Sequence, residues 1–366
     1  MKHIIVGAGI NGLFTAYYLM QAGEKVVLID QGDVGRESSW AGGGILSPLY
    51  PWRYPDAVTH IASWSQQRYP ALVSELHSQT GIDPEYLQSG LLMLDPRESK
   101  QATIWAEKYK HSIKLLNKEM CQQISDEIRL AYDGGMLMKN VGQVRNPRLV
   151  KALQISLIAG GTTILKYEKC TKIIRKGHRV TGIVTDKQQH MADSVCLCCG
   201  AWTKSLLQGT SNIPTIEPVK GQMLLLQSRP NLINHIVLGE THYIIPRKDG
   251  LILVGSTLEH VGYDKTTTQE AREILTAAAY ALIPGLRDAK IIQQWAGLRP
   301  GSKNGIPTIC GHPELKGLYI NSGQYRNGVV MAPGSGTLMA DLILQKPSFV
   351  DPAAYNLASI KENIAV

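Results

Sequence analysis

The sequence predicts an α/β fold of two lobes, one with a parallel sheet and one with a mostly antiparallel sheet. The start of the chain reads strand, helix and strand, which is typical of a parallel βαβ unit. Several short apolar runs between residues 219 and 256 look like strands of a second sheet. The length of 366 residues also exceeds what one hydrophobic core usually serves.

The elements follow from apolar periodicity and from breaker residues. The first unit comprises a strand at His3–Val6, a helix at Gly12–Gln21 and a strand at Lys25–Ile29. Residues 56–80 and 98–124 read mainly as helices. Pro70 should kink or break the first of these helices, because proline lacks the N–H that the helix ladder needs.

Capping residues bound the next helix. Asn146-Pro147 predicts its start, with an N-cap asparagine and a proline in the first helical position, and Gly160-Gly161 predicts its end. Strands follow through residues 162–199. The basic cluster Arg175–Arg179 lies between two of them and reads as a solvated hairpin turn.

The second half supplies the other sheet and then returns to the first lobe. Its elements are strands at Met223–Gln227, Tyr243–Pro246 and Leu251–Gly255, a helix at 268–282, a strand near 290–298, a strand at Leu318–Asn321 and a helix at Gly336–Gln345. We find no repeat or flexible linker, so the lobes are expected to interleave. The predicted first lobe takes residues 1–80, 142–215 and 310–366, and the second takes 81–141 and 216–309.

Composition points to a soluble, globular, intracellular protein. Hydrophobic residues make up 44% and charged residues 19% of the chain, and no uninterrupted apolar stretch is long enough for a transmembrane helix. The N-terminus lacks an export signal and six cysteines do not form a disulfide scaffold, so a cytoplasmic location is expected. The net charge of +8 suggests an anionic cofactor or substrate, although nucleic acid or an anionic membrane surface would also fit.

The clearest motif is Gly7-Ala8-Gly9-Ile10-Asn11-Gly12, a G-x-G-x-x-G between a strand and a helix. The first glycine makes the tight turn, the second lets the backbone approach a pyrophosphate, and the third lets helix pack on strand. The helix N-terminus offers free N–H groups to the phosphates. Asp30, 18 residues beyond Gly12, would accept hydrogen bonds from a ribose hydroxyl. The motif therefore predicts a dinucleotide site.

NAD and FAD both satisfy this motif, and the following segment favours FAD. Ser38–Ile45 offers two serine hydroxyls and three successive glycines, enough bare backbone to lie along the extended second half of FAD. A nicotinamide-dependent enzyme has no need of such a run. A plain flexible loop is the alternative.

Five segments together resemble the D-amino acid oxidase superfamily of FAD-dependent oxidoreductases, and within it the glycine oxidases of thiamine biosynthesis. They are Gly7–Gly12, Ser38–Ile45, Val195–Trp202, Trp295–Gly301 and Gly323–Gly328. Their order spans nearly the whole chain. The resemblance implies a glutathione reductase-like FAD-binding Rossmann lobe joined to a mostly antiparallel substrate lobe.

The resemblance also implies the site residues. FAD would be held by Gly7, Gly9, Ile10, Asn11, Gly12, Asp30, Gln31, Ser38, Ser39, Gly43, Gly44, Ile45, Cys170, Gly200, Gln324, Tyr325, Arg326, Asn327, Gly328, Val329 and Val330. Arg299 and Arg326 match arginines that bind the substrate carboxylate, and Tyr243 matches a tyrosine at the substrate.

The residues themselves support part of this assignment. Arg299 stands between a strand and Pro300-Gly301, where sites commonly form, and only arginine offers a planar fork to a carboxylate. Tyr243 could donate its hydroxyl to the same carboxylate, although strand tyrosines more often pack in a core. His242 should point the opposite way along the strand and is expected to be structural.

Bulky residues make the pocket unusual. Tyr50, Trp52 and Leu258 stand where glycine oxidases can show small residues or a methionine. They could narrow the pocket toward small amines, or could pack a lid.

The cysteines predict neither a metal site nor a covalent flavin link. Cys196, Cys198 and Cys199 lie on an apolar strand without a second ligand pair at zinc spacing. Cys310 is not placed where related enzymes carry a flavin-linking cysteine, which favours noncovalent FAD.

The activity implied by the resemblance is oxidative deamination of glycine, small D-amino acids or secondary amines such as sarcosine. Oxygen would be the electron acceptor and H2O2 a product. Three alternatives stay open at this point: a D-amino acid dehydrogenase that reduces a quinone, a flavin module of a tRNA-modifying enzyme, and a noncatalytic flavin-binding partner protein. We expect no nucleic-acid partner, because the basic residues are scattered. A homo-oligomer is possible.

Overall fold

The N-terminal βαβ unit lies inside the first of three sheets. The computed structural model describes residues 1–357, and the three sheets are those of this part of the chain. The strands, in chain order, are β1 (Lys2–Val6), β2 (Lys25–Ile29), β3 (Leu91–Met93), β4 (Lys114–Asn117), β5 (Gly134–Met138), β6 (Thr163–Leu165), β7 (Cys170–Lys176), β8 (Arg179–Thr185), β9 (Gln189–Met191), β10 (Ser194–Leu197), β11 (Ile216–Gln227), β12 (Ile236–Leu238), β13 (Tyr243–Pro246), β14 (Leu251–Gly255), β15 (Lys290–Ser302), β16 (Thr308–Gly311) and β17 (Leu318–Ser322).

Helices connect the strands and cover the first sheet. The α-helices are α1 (Ile10–Gln21), α2 (Ser38–Ala41), α3 (Asp56–Thr80), α4 (Ser99–Tyr109), α5 (Lys118–Ile124), α6 (Asn146–Ala159), α7 (Thr203–Leu206), α8 (Gln269–Leu282) and α9 (Gly328–Leu344). None of the helices within residues 1–357 is long and apolar enough to cross a membrane.

The first sheet has the strand order β16-β17-β10-β1-β2-β6 and is parallel except at β16. Ile4 of β1 pairs with Val195 of β10 on one side and Val27 of β2 on the other. Ile4 and Ile5 are fully buried, because both faces of the sheet are covered, as is usual for parallel sheets.

The second sheet has the order β15-β11-β14-β13-β12-β3-β5-β4 and is antiparallel except between β12 and β3. Its long pair β11 and β15 brings Val219 opposite Arg299. The predicted combination of one parallel and one mostly antiparallel sheet is confirmed.

The third sheet is the small meander β7-β8-β9. The basic cluster Arg175–Arg179 forms the turn between β7 and β8, with Gly177 at a φ of +61° and exposed side chains. The predicted solvated hairpin turn is confirmed.

Several element predictions were wrong in detail. Residues 98–124 are mainly helical as predicted, but the unpredicted strand β4 separates α4 from α5 and pairs with β5 through Leu115 and Met136. Pro70 does not break α3, which runs unbroken from Asp56 to Thr80. Tertiary pairing and packing outweighed the local signal in both places.

Asn146 is not an N-cap. Arg145 precedes α6, and Asn146 is the first helical residue. Its side-chain amide donates instead to the carbonyl oxygens of Ser39 and Gly42, each at 3.0 Å. The asparagine therefore ties α6 to the glycine-rich loop.

Helix α9 begins at Gly328, eight residues before the predicted start at Gly336, and contains Pro333. A proline at this position leaves the Val329 carbonyl oxygen without its helical donor. The Tyr69 hydroxyl donates to that oxygen, which explains how the helix passes through the proline.

The predicted boundaries of the two lobes stay a prediction. The strands of the first sheet fall within the predicted first lobe, except that β16 begins two residues before position 310.

Candidate active site

The G-x-G-x-x-G segment makes a tight turn between β1 and α1. Gly7 has a φ of +103°, and a Cβ atom on it would lie 2.3 Å from the Cys198 carbonyl oxygen. A Cβ atom on Gly12 would lie 1.9 Å from the Gly7 carbonyl oxygen, so this position packs helix against strand. The Ile10 N–H donates to Ser39 Oγ at 2.8 Å. Only glycine fits the first and third positions of this turn.

Asp30 lies at the end of β2 and faces the same turn. Its carboxylate accepts the Ala8 N–H at 2.6 Å and the Gly32 N–H at 2.8 Å. Burial raises the pKa of Asp30, although the two N–H donors act in the opposite direction. Each carboxylate oxygen has a further lone pair for a ligand hydroxyl.

An elongated cavity of about 340 Å³, here called the cleft, runs along this turn. Many of the predicted cofactor residues line it: Gly7, Gly9, Ile10, Asn11, Asp30, Gln31, Ser38, Ser39, Cys170, Gly200 and Gln324. Prediction from the sequence missed Glu37, Trp202, Tyr263 and Pro300, which also line the cleft. Trp202 and Pro300 belong to the segments Val195–Trp202 and Trp295–Gly301 but were not predicted as cofactor residues. Glu37 and Tyr263 carry no motif, and only the folded chain brings them to the cleft.

The cleft continues into an inner chamber of about 110 Å³. Both are lined by Ile10, Asn11, Ser38 and Ser39. The remaining lining includes Gly43, Tyr243, Arg299, Tyr325, Arg326, Gly328 and Val329. A connecting chamber of about 100 Å³ adds Gly44, Ile45 and Asn327. Most of the predicted cofactor and substrate residues therefore line a group of adjacent cavities that share wall residues.

Two of the predicted cofactor residues lie behind the walls of these cavities. Gly12 packs against Gly7, and Val330 is buried in the hydrophobic core. Within the described chain, neither residue lines the cleft or the inner chamber, and both pack behind residues that do.

Arg299 is held at the end of the inner chamber by neutral groups. Its Nη2 donates to Ser256 Oγ at 2.6 Å, and its Nη1 donates to the carbonyl oxygens of Lys220 and Thr257 at 3.2 and 3.3 Å. A Cβ atom on Gly221 would lie 2.2 Å from both terminal nitrogens, so this glycine makes room for the guanidinium.

No carboxylate of residues 1–357 forms an ion pair with Arg299. Burial lowers the pKa of its guanidinium, and the positive charge of Arg326 acts in the same direction. A half-buried cation, Arg299, and an exposed one, Arg326, therefore line the same chamber, and Arg299 has no ion-pair partner in residues 1–357. An anionic ligand between them would offset the desolvation cost of Arg299 and the repulsion between the two charges.

Tyr243 and Arg326 complete the chamber. The Tyr243 hydroxyl lies 3.4 Å from Met223 Sδ, and its ring packs on Gly255, where a Cβ atom would lie 2.8 Å away. Arg326 is exposed and belongs to a short 3-10 helix, Tyr325–Asn327, just before α9. The N-terminus of α9 at Gly328 faces the chamber, so its free N–H groups add positive potential there.

Arg247 is a second arginine that sequence reasoning missed. It is buried, and burial lowers its pKa to about 10. Its donors go to Gln143 Oε1 at 2.6 Å, the Val144 carbonyl oxygen at 3.0 Å and the Gly43 carbonyl oxygen at 2.8 Å. Arg247 therefore ties the second sheet to the glycine-rich loop. In the sequence it looks like a charge in a hairpin turn.

An outer chamber of about 640 Å³ opens beyond the connecting chamber. Tyr50, His242 and Leu258 line it, whereas Trp52 packs edge-on against Tyr50 and donates to Glu98. The Tyr50 hydroxyl donates to the Gly239 carbonyl oxygen at 2.9 Å. Burial lowers the pKa of His242. Of the two predicted aromatics, Tyr50 alone faces this chamber.

The cysteines are free thiols. Burial raises the pKa of Cys310 and of Cys170 to about 11, so both are protonated at neutral pH. Cys310 lies in the core under the first sheet. Residues 1–357 contain no group of three or more His, Cys, Asp or Glu side chains that could hold a metal.

Comparison with known proteins places this site in a family. The family described as FAD dependent oxidoreductase, DAO, matches residues 2–342. The chain belongs to this FAD-dependent oxidoreductase family. The predicted family, fold and cofactor are confirmed, and the protein is an FAD-dependent amino-acid oxidase.

Individual members show how close the similarity is. The glycine oxidase of Pseudomonas putida is 45% identical over 96% of this chain and 97% of its own length. The bifunctional protein ThiO/ThiG of Synechocystis is 30% identical over 94% of this chain but only 51% of its own length. The crystal structure of glycine oxidase from Geobacillus kaustophilus matches with a TM-score of 0.89 and 27% identity over 97% of both chains.

The residues of this FAD-dependent oxidoreductase fit the cofactor. The buried atoms Asn11 Oδ1 and Asn327 Nδ2 have no hydrogen-bond partner within the described chain, and both residues line the cavities. A polar ligand there would satisfy them. Which of the predicted cofactor residues contact FAD stays a prediction.

Proposed function

We propose that this oxidase acts on glycine and on small D-amino acids or secondary amines such as sarcosine. The observation that carries the proposal is Arg299, a partly buried guanidinium without a carboxylate partner in residues 1–357, at the end of an inner chamber of only about 110 Å³. The names of the relatives support glycine as one substrate. A role in thiamine biosynthesis belongs to the same proposal.

The substrate carboxylate would bind the planar fork of Arg299. Ser256 and the Lys220 and Thr257 carbonyl oxygens fix the plane of that fork, so the bound amino acid has one orientation. Arg326 adds a second positive charge, and the Tyr243 hydroxyl could donate to the same carboxylate. These groups would hold the substrate Cα toward the cleft.

FAD, when bound, would supply the hydride acceptor for the substrate Cα, and O2 would take up the electrons as H2O2. The protein contributes orientation, exclusion of water and positive potential from the α9 N-terminus. Loss of the hydride from Cα and of a proton from the nitrogen would leave the substrate as an imine. Water would hydrolyse the imine to a keto or aldehyde acid and ammonia, or methylamine in the case of sarcosine. No general base with a strongly shifted pKa is needed for this path.

Noncovalent binding of FAD is part of the proposal. It is supported by the burial and protonation of Cys170 and Cys310. Acid precipitation should release intact FAD into the supernatant.

Anaerobic mixing of the holoenzyme with a panel of amines tests the substrate. Glycine, sarcosine and D-alanine should bleach the flavin absorbance, and D-phenylalanine should do so much more slowly, since a confined pocket discriminates even single methylenes. Oxygen uptake by the same substrates distinguishes an oxidase from a quinone-linked dehydrogenase. Fast bleaching by bulky D-amino acids alone would contradict the proposal.

A further inference from the structure

The chain between β14 and α8 crosses from the substrate arginine to the mouth of the cleft. Residues 256–265, here called the strap, form neither helix nor strand. At one end Ser256 Oγ accepts from Arg299 at 2.6 Å, and near the other end Tyr263 lines the cleft. The strap therefore touches both cavities.

The first part of the strap is fixed to β11. Lys220 and Glu259 exchange both backbone hydrogen bonds, at 2.9 and 3.0 Å. The Lys220 side chain is 2% exposed, and its ammonium lies 3.2 Å from the carboxylates of Glu259 and Asp264. A buried cation between two carboxylates holds the strap in one position, because the alternative leaves a buried charge unpaired.

The second part of the strap closes on the rim of the cleft. The Tyr263 hydroxyl donates to the Ala201 carbonyl oxygen at 3.1 Å, and its ring lies 5.6 Å from that of Trp202, with 32° between the ring planes. Both aromatic residues line the cleft. Tyr263 is 50% exposed, so one side of its ring faces solvent while another side faces the cavity.

An ion pair joins the strap to the other side of the rim. Lys265 Nζ lies 2.9 and 3.0 Å from the two carboxylate oxygens of Glu37, which also lines the cleft. An unpaired carboxylate at this place would repel an anionic cofactor, and Lys265 neutralises it. The contact crosses 228 residues of sequence, so no local signal predicts it.

We propose that the strap retains FAD, with Tyr263 as a cofactor contact at the rim and the Lys265–Glu37 pair as the clasp that holds the strap closed. Opening the clasp and lifting Tyr263 would also break the Lys220–Asp264 contact, while the backbone pair between Lys220 and Glu259 would keep the start of the strap on β11. The proposal rests on the family's cofactor and is independent of which amine is oxidised.

FAD release from the holoenzyme tests the role of Tyr263. The protein is diluted into FAD-free buffer, and free flavin is separated by ultrafiltration at successive times. Tyr263→Ala should release FAD about tenfold faster, since it loses an aromatic contact and a hydrogen bond. Tyr263→Phe should give a smaller increase. The matched control Val261→Ala, at a 45% exposed residue of the same strap, should release FAD like the parent.

Charge reversal tests the clasp, whose residues are exposed enough to tolerate it. Lys265→Glu should accelerate release by about threefold at low ionic strength, and adding Glu37→Lys should restore the parent rate. Lys290→Glu makes the same net change at an exposed position of β15 and should have no effect. Equal release rates for Tyr263→Ala and Val261→Ala, or for Lys265→Glu and Lys290→Glu, would overturn the proposal.

Discussion

Arg299 and Arg247 are two arginines in similar surroundings that have different roles. Both have guanidinium groups bound by neutral acceptors, with burial lowering the pKa. Arg247 donates to the Gln143 side-chain oxygen and to the carbonyl oxygens of Val144 and Gly43. Arg299 also lines the inner chamber. The sequence singled out Arg299 by its Gly-Leu-Arg-Pro-Gly context, whereas nothing near Arg247 distinguished it from a turn residue.

Replacement of Arg299 should impair the reaction of amino acids specifically. Arg299→Ala is expected to lose about 3–5 kcal/mol of transition-state binding, a factor of roughly 10² to 10⁴ in kcat/KM for glycine. Arg299→Lys should also be defective, since it keeps the charge but loses the planar fork. Steady-state oxygen uptake with FAD in excess measures both variants.

An amine without a carboxylate, such as ethylamine, is the control for Arg299. Its slow oxidation should be nearly indifferent to the substitution, because no carboxylate is there to bind. Equal slowing of glycine and ethylamine would show that Arg299 only supports the chamber through Ser256 and the neighbouring carbonyl oxygens. Arg326 would then become the candidate anchor.

At the scale of elements, the βαβ unit was predictable because its signals are local. β2 matches the predicted strand at both ends, and α1 begins two residues before the prediction. The errors arise where distant groups supply what the local sequence lacks. In α9 the Tyr69 hydroxyl replaces the backbone donor that Pro333 lacks. The segment of β4 forms a strand because it pairs with β5. The Asn146 side chain donates to the Ser39 and Gly42 carbonyl oxygens and therefore does not cap its helix.

The turn between β1 and α1 depends on Asp30 more than its motif role suggests. The carboxylate holds two backbone N–H groups, so Asp30→Ala should lose both these hydrogen bonds and the expected ribose contact. We expect FAD binding to weaken by about 1.5–3 kcal/mol, the scale of hydrogen bonds to a charged group. Titration of the apoprotein with FAD measures the loss.

Two further variants serve as comparisons for Asp30→Ala. Asp30→Asn keeps the shape and one carbonyl acceptor, and should weaken FAD less than alanine does. Asp33→Ala removes a carboxylate three residues later that pairs with Lys166 outside the cleft, and should leave FAD affinity unchanged. An unaltered affinity in Asp30→Ala would count against the assignment of this turn to the cofactor.

At the scale of the whole molecule, the site lies where the two large sheets meet. β1 and β2 end at the cleft, β13 and β15 supply Tyr243 and Arg299, and the strap joins the two regions. The sequence predicted the sheets and the main residues on each. It could not predict the volumes of the chambers, the orientation of Trp52 away from them or the rim residues, because these depend on how separate elements pack. The lobe boundaries stay a prediction.

Buried and half-buried histidines across the molecule are expected to make its stability sensitive to acid. Burial lowers the pKa of His3, His111, His235, His242 and His312 below the ordinary value of 6.5. The folded protein therefore binds fewer protons than the unfolded chain once the pH falls below about 6.5. Stability is fully present above that pH and is lost as the pH falls further, at values where most carboxyl groups are still ionised.

His111 offers a direct test, because its ring has a clear structural place. It stacks on Trp105 at 4.5 Å between centroids, and its Nε2 lies 2.8 Å from Ser63 Oγ. Charging this ring would cost the desolvation of a cation at a half-buried place, which is why burial lowers the pKa of His111. His111→Phe keeps the stack and removes the titration, so the unfolding temperature should fall less between about pH 7.5 and 5.5 than in the parent. Differential scanning calorimetry of the holoenzyme with excess FAD measures how steeply the unfolding temperature of each protein falls with pH.

His178→Phe, in the exposed turn between β7 and β8, is the matched control and should show the same dependence of unfolding temperature on pH as the parent. If the unfolding temperatures of the parent, His111→Phe and His178→Phe fall equally with pH, His111 does not contribute to acid sensitivity. The cause would then lie with the other four histidines.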